Sequence, residues 1–300
     1  MEKVSLSNNV KMSRIVHGHW RLREWNLSKE ELLKLVLQVY DLGITTIDHA
    51  DIYGSFINEE LFGEALALKK ELRPNIQIVT KCGIQFVSPN RPEIKSHHYN
   101  TSKEHIIKSA ERSLKNLKTD YLDVLLIHRP DPYMNPEEVA EAFTKLRQEG
   151  KVLEFGVSNF KPSQFNMLNS YLDFPLVTNQ IEVSPLNFEH FDYGTIDLCL
   201  EKRVHPMAWS PLGGGRLFRD NDERTVRARN ALEKIKDEVN ANSIDEVAYA
   251  WLLNHPAKII PIVGSGNLER VKAAVSALNI KLTRDQWFEV WQSSLGRDID

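Results

Sequence analysis

The chain has 300 residues, 42% of them apolar and 26% charged, with a formal net charge of −3. That length supports a substantial core, as one large domain or two small ones, and the mild charge gives no case for nucleic acid or an anionic membrane as the main partner. Two cysteines, Cys82 and Cys199, are too few for a disulfide framework or a four-cysteine zinc site, and fit a reducing compartment.

Residues 1–10 are polar and mixed, without the apolar run of a signal peptide, and no stretch nears the roughly 18 apolar residues of a membrane span. The expectation is a soluble, cytoplasmic protein.

Short β-branched runs alternate with helical periodicity. Residues 14–16 read as the first strand. Ser28 then opens a helix, with Glu31 completing a capping box. Leu32, Leu33, Val36, Leu37 and Tyr40 repeat at the helical period, and Gly43 suits a left-handed cap. Further strands are expected at 44–47, 76–80, 122–127, 152–157, 176–180, 204–208 and 259–263. Helices are expected at 59–68, 102–117, 136–148, 162–169, 193–202, 222–239, 244–253 and 268–278, with a last one at 285–292.

Eight strands each followed by a helix predict an α/β fold, a (β/α)8 TIM barrel with outer helices, spanning 1–300 as a single domain. A doubly wound sheet is the alternative. It usually carries a glycine-rich turn after its first strand, and here that strand runs into His17-Gly18-His19-Trp20. The longest irregular stretch, 82–99, would lie over the catalytic face.

Active sites of such barrels lie at the carboxyl ends of the strands. Those ends carry Asp48 with Asp51 and Tyr53, then Lys81, His128 with Arg129, Ser158 and Asn159, Asn179 and Gln180, Trp209 and Ser210, and Gly264 and Ser265. Tyrosine titrates near 10, too high to exchange protons freely at neutral pH, and an adjacent ammonium favours phenolate. Lys81 can supply that charge, Asp48 can hold Lys81, and His128 can bond a carbonyl oxygen that gains charge as hydride arrives. Taken singly, each has a plainer reading: a half-buried tyrosine, a snorkelling lysine, a satisfied core histidine, an aspartate capping a turn. The coincidence on three successive strand ends favours chemistry. The adjacent His97 and His98 are a poor metal signal, and no metal is expected.

These residues resemble the aldo-keto reductase family. Asp48-His49-Ala50-Asp51-Ile52-Tyr53-Gly54 is similar to its D-T-A-x-x-Y-G signature, with His49 where threonine is usual. Val79-Thr80-Lys81, Leu125-Leu126-Ile127-His128, Gly156-Val157-Ser158-Asn159-Phe160, Asn179-Gln180 and Trp209-Ser210-Pro211-Leu212-Gly213 match in order and spacing, so the resemblance covers nearly the whole chain. His128-Arg129-Pro130-Asp131-Pro132 and Gly264-Ser265-Gly266-Asn267 are most like a bacterial subgroup of oxidoreductases.

The resemblance implies NADPH-dependent reduction of an aldehyde or ketone to an alcohol, with a small-molecule carbonyl substrate and a monomer. Tyr53 would be the general acid, tuned by Lys81 and Asp48, with His128 orienting the carbonyl. Ser158, Asn159 and Gln180 would hold the nicotinamide carboxamide and Trp209 would stack on its ring. Ser210, Leu212 and Gly213 would follow the pyrophosphate, and Ser265, Asn267 and Arg270 would meet the adenosine end.

Gly264 stands where the family often has a basic residue, and Ala273-Ala274 where it has an acidic–amide pair. The planar fork of Arg270 suits a phosphate and favours NADPH over NADH. Trp20 is a candidate wall of the substrate pocket. Two other readings use the same residues: a nicotinamide-sensing binding subunit with little turnover, and a Schiff-base lyase with Lys81 as nucleophile.

Overall fold

The computed structural model describes residues 1–299. The β-branched runs form strands β1 (Val16–Gly18), β2 (Thr46–Asp48), β3 (Gln77–Cys82), β4 (Leu122–Ile127), β5 (Val152–Ser158), β6 (Asn179–Glu182), β7 (Met207–Trp209) and β8 (Ile260–Val263). Each pairs in parallel with its neighbour in the chain, and β8 returns to β1 to close an eight-stranded barrel. Helices surround it, among them α1 (Lys29–Asp41), α2 (Asn58–Leu66) and α3 (Lys103–Leu117). The expected capping box starts α1: the Ser28 and Glu31 side chains each accept from the other's backbone N–H.

Because side chains alternate across a strand, each strand sends one set of residues inward and the other to the helices. Val16, Val79, Val124, Leu126, Met207, Ile260 and Ile262 fill the barrel interior. Ile47, Ile78, Leu125, Ile127, Phe155 and Val157 pack outward among the helices. The inward alternation on β4 runs Val124, Leu126 and then His128; on β3 it runs Val79 and then Lys81. The same alternation puts Asp48, Ser158, Gln180 and Trp209 on the inner face at the carboxyl end. The barrel wall therefore aims these residues at one space.

Three features differ from the sequence expectations. The polar N-terminus forms an antiparallel hairpin, Lys3–Ser5 with Lys11–Ser13, whose Val4 and Met12 join the cluster that fills the barrel interior. Strands expected at 14–16, 44–47, 176–180 and 204–208 begin later, at Val16, Thr46, Asn179 and Met207; the lead-in residues Ile15, Ile44 and Leu176 are buried, and Val177 N already donates to the Phe155 carbonyl, 2.8 Å. The long loop after β3 contains a short hairpin, Ile84–Gln85 with His98–Tyr99. Phe86 of this loop stacks on Phe56 with ring centroids 4.8 Å apart, and Asn90 Nδ2 donates to the Ser55 carbonyl, 2.8 Å. The loop is thus held against the segment that follows Tyr53.

That segment leads into α2, which meets α3 through Gly63. A Cβ on Gly63 would lie 1.9 Å from the Asn116 carbonyl oxygen and 2.8 Å from the Leu117 backbone. Backbone cannot give way as a flexible side chain does. Gly63→Ala is therefore expected to destabilise the protein by about 1–3 kcal/mol, read as a lower midpoint in urea denaturation; an unchanged midpoint would contradict this packing.

Candidate active site

The centre of the site is an ammonium taken out of water. Lys81, on β3, is fully buried, and its Nζ donates to both Asp48 carboxylate oxygens at 2.8 Å, to the His49 carbonyl at 2.7 Å and to the Tyr53 hydroxyl at 3.1 Å. Gln180 Nε2 donates to the same Asp48 carboxylate, 2.8 Å from Oδ1. Burial alone lowers the pKa of Lys81, but Asp48 and then Tyr53 outweigh it, and the ammonium stands above the ordinary lysine value.

Tyr53 is half-buried in the connection after β2, where the short helical turn Tyr53–Phe56 begins. Its oxygen accepts from Lys81, which leaves its own O–H free to point elsewhere. Burial pushes the phenol above its ordinary value, against the pull of Lys81 in the other direction. The ammonium does favour phenolate as expected from the sequence, but burial is larger. The hydroxyl is therefore a neutral donor at physiological pH.

His128 lies edge-on to Tyr53, with ring centroids 5.9 Å apart. Burial, followed by the charges of Lys81 and Arg129, holds its pKa well below the ordinary histidine value. It is neutral, and its Nδ1 has no partner. A neutral phenol and a neutral imidazole, each with one proton to donate, thus line the same cleft.

The cleft has a volume of about 870 Å³. Asp48, Tyr53, His128, Ser158, Asn159, Gln180, Trp209, Ser210, Leu212, Gly264, Ser265, Arg270 and Trp20 all line it. Lys81 lies beneath it. Gly213 is buried and does not line the cleft, while its neighbours Gly214 and Gly215 do. Asn267 caps the N-terminus of the helix Leu268–Ser276, accepting from Glu269 N at 2.9 Å. The Trp209 indole donates to Asn159 Oδ1, 3.0 Å, and Asn159 Nδ2 donates to Ser158 Oγ, 2.8 Å. Asn159 Nδ2 keeps a second hydrogen for a ligand.

Sequence reasoning missed Arg21, Ile84, Phe218 and Arg219 as lining residues. Arg219 donates to the Gly214 carbonyl, 3.0 Å. Arg21 comes from a loop, Ile84 from the short hairpin after β3, and Phe218 and Arg219 from the short helix Arg216–Arg219, all outside the barrel strands whose alternation aims side chains at the cleft. Arg129, noted beside His128, reaches the cleft and lies 5.6 Å from the Trp209 ring centroid. Among the described residues no cluster of three or more His, Cys, Asp or Glu side chains is placed to hold a metal ion. No helix among them is long and apolar enough to cross a membrane.

A barrel with a tyrosine, a lysine–aspartate pair and a histidine at three strand ends defines a class, and comparison with known families agrees. Residues 14–294 match the model of the aldo/keto reductase family, and the chain belongs to that family. Over its full length it is 57% identical to the uncharacterized oxidoreductase YcsN of Bacillus subtilis (strain 168), which it covers completely. It is 42% identical to a 6-dehydroglucose reductase of Agrobacterium fabrum, with all of both chains covered. Among solved structures, a thermostable aldo-keto reductase, Tm1743, in complex with the inhibitor epalrestat superposes with a TM-score of 0.80 at 26% identity, over 98% of this chain and 100% of that one.

Removing one member of a buried ion pair costs about 3–5 kcal/mol because the other charge is left alone. Lys81→Met is expected to lose stability on that scale in urea denaturation. Asp48→Asn added to Lys81→Met should recover part of the loss; a further additive loss would contradict a charge-based role for the pair.

Proposed function

We propose that the protein is an NADPH-dependent reductase of aldehydes or ketones in which Tyr53 donates the proton. The observation that carries this is the Tyr53 hydroxyl, which accepts from the buried Lys81 ammonium at 3.1 Å beside the neutral His128.

The residues fit a nicotinamide dinucleotide. Gly213, Gly214 and Gly215 have φ of 61°, 66° and 92°, a left-handed run that glycine permits and that presents bare backbone along the cleft. Arg219 and Arg270 supply cations at that end, and Ala274 turns into the core instead of toward the cleft. Arg270 is the residue assigned to the 2′-phosphate. Trp209, fixed at its indole N–H by Asn159, offers a flat face to the nicotinamide, and Ser158, Asn159 and Gln180 offer amide and hydroxyl groups to its carboxamide. When bound, the dinucleotide supplies hydride.

The chain's own residues do the rest. His128 and Tyr53 donate to the carbonyl oxygen and so polarise it. As that oxygen becomes an alkoxide, the Tyr53 proton moves to it, and the adjacent ammonium stabilises the phenolate left behind. Asp48 keeps that ammonium in place.

A Schiff-base role for Lys81 is disfavoured. A lysine nucleophile needs a lowered pKa and access, whereas Lys81 is buried, held at four acceptors and raised. The similarity to a 6-dehydroglucose reductase makes sugar-derived aldehydes the first substrates to test.

Tyr53→Phe is expected to lower turnover about 100-fold or more, the contribution of a positioned acid. Binding of NADPH, followed by quenching of tryptophan fluorescence, should stay nearly intact. Retention of most turnover would sink the assignment.

A further inference from the structure

Three histidines at the carboxyl ends of β1 and β2 take no part in the chemistry proposed above. His17, His19 and His49 are each fully buried. His17 Nε2 lies 2.9 Å from the Ser265 carbonyl oxygen, His19 Nε2 lies 3.0 Å from His17 Nδ1, and His19 Nδ1 lies 3.1 Å from His49 Nε2. Aromatic rings enclose them: Trp25 stacks on His17 and meets the edge of His19, and Phe62 packs on His19 and His49. No carboxylate bonds any of the three, and burial lowers His17 to about 4 and His49 to about 3. The rings are neutral.

A neutral imidazole has one donor nitrogen and one acceptor nitrogen. A carbonyl oxygen only accepts, so His17 must carry its proton on Nε2, leaving Nδ1 as an acceptor. His19 must then donate from Nε2 to His17, and its Nδ1 accepts. His49 must donate from Nε2 to His19, which leaves its Nδ1 bare. That atom is indeed buried without a partner. One carbonyl, on the loop after β8, thus fixes three tautomers in series.

The two ends of this chain are both at the site. The Ser265 carbonyl belongs to the loop whose Ser265 and Arg270 are assigned to the adenosine end of the dinucleotide. That loop also rests on Trp25, since a Cβ on Gly266 would lie 2.7 Å from the Trp25 ring. At the other end, the His49 carbonyl accepts from Lys81 Nζ.

We infer that His17, His19 and His49 form a one-directional hydrogen-bond chain, all protonated on Nε2, that positions the loop after β8 for the dinucleotide. They are positioning residues, with His17 as the link to the loop. The inference rests on the proposed dinucleotide site for its function, but the tautomer pattern stands apart from it.

Long-range proton–nitrogen NMR of the 15N-histidine-labelled protein reads the tautomers directly. Three neutral rings protonated on Nε2 are expected; a proton on Nδ1 in any of the three overturns the chain. NADPH titration then reads the function. His17→Phe keeps an aromatic ring but removes the donor to Ser265, and should raise the Kd for NADPH about three- to tenfold, with KM for the cofactor rising more than kcat falls. His49→Phe merely moves the bare acceptor from His49 to His19, leaves the Ser265 bond in place, and should leave Kd near the wild-type value. An unchanged Kd in His17→Phe, or an equal rise in His49→Phe, overturns the positioning role. Failure of the wild-type protein to bind NADPH would instead refute the dinucleotide reading.

Discussion

The ion pair between Lys81 and Asp48 is the constraint on which the site depends. Two charges are taken out of water together, with both partners almost wholly buried and their atoms 2.8 Å apart. Such a pair is weak evidence for stability, because desolvation cancels much of the attraction. Its value lies in fixing a geometry. The ammonium holds the Asp48 carboxylate, the His49 carbonyl and the Tyr53 hydroxyl around one nitrogen. Any shift of β2 against β3 would strip the charge of partners, so the two strand ends stay in register.

From that point the barrel supplies the rest by simple alternation. A residue that follows an inward valine or leucine by two positions also faces inward, and at the last step the interior opens into the cleft. His128 follows Leu126 in this way, and Lys81 follows Val79. The apolar layers below exclude water from the ammonium. The same burial raises the Tyr53 phenol and keeps His128 neutral. One packed core therefore both orients the polar groups and decides their protonation.

Much of this could be read from the sequence because it depends on local order. Strand β4 begins and ends where the run Leu122–Ile127 does, since five of its six residues are apolar and the run lies between turn signals. The residues at strand ends were legible because the barrel brings all those ends to one face. What could not be read depends on contacts between distant segments. The N-terminal hairpin has strands of three residues, too short to show a period. Arg21 reaches the cleft from a loop and Arg219 from the short helix Arg216–Arg219, both outside the barrel strands. His49 showed only as a departure from the usual threonine, and its meaning needs His19, thirty positions away in the chain, at 3.1 Å. The net direction of the Tyr53 shift needs the extent of burial, which sequence does not carry.

The central claim is that Tyr53 is a half-buried neutral phenol, raised by desolvation and restrained by Lys81, as the proposed acid must be. Carbon-13 NMR of protein labelled at the tyrosine Cζ, titrated through the alkaline range, tests it most directly, with Tyr53→Phe to assign the signal. Tyr53 should remain a phenol beyond the ordinary value of 10.0, and Lys81→Met should push its titration higher still. A Tyr53 signal that titrates below the exposed tyrosines, or one that Lys81→Met leaves in place, would contradict the account.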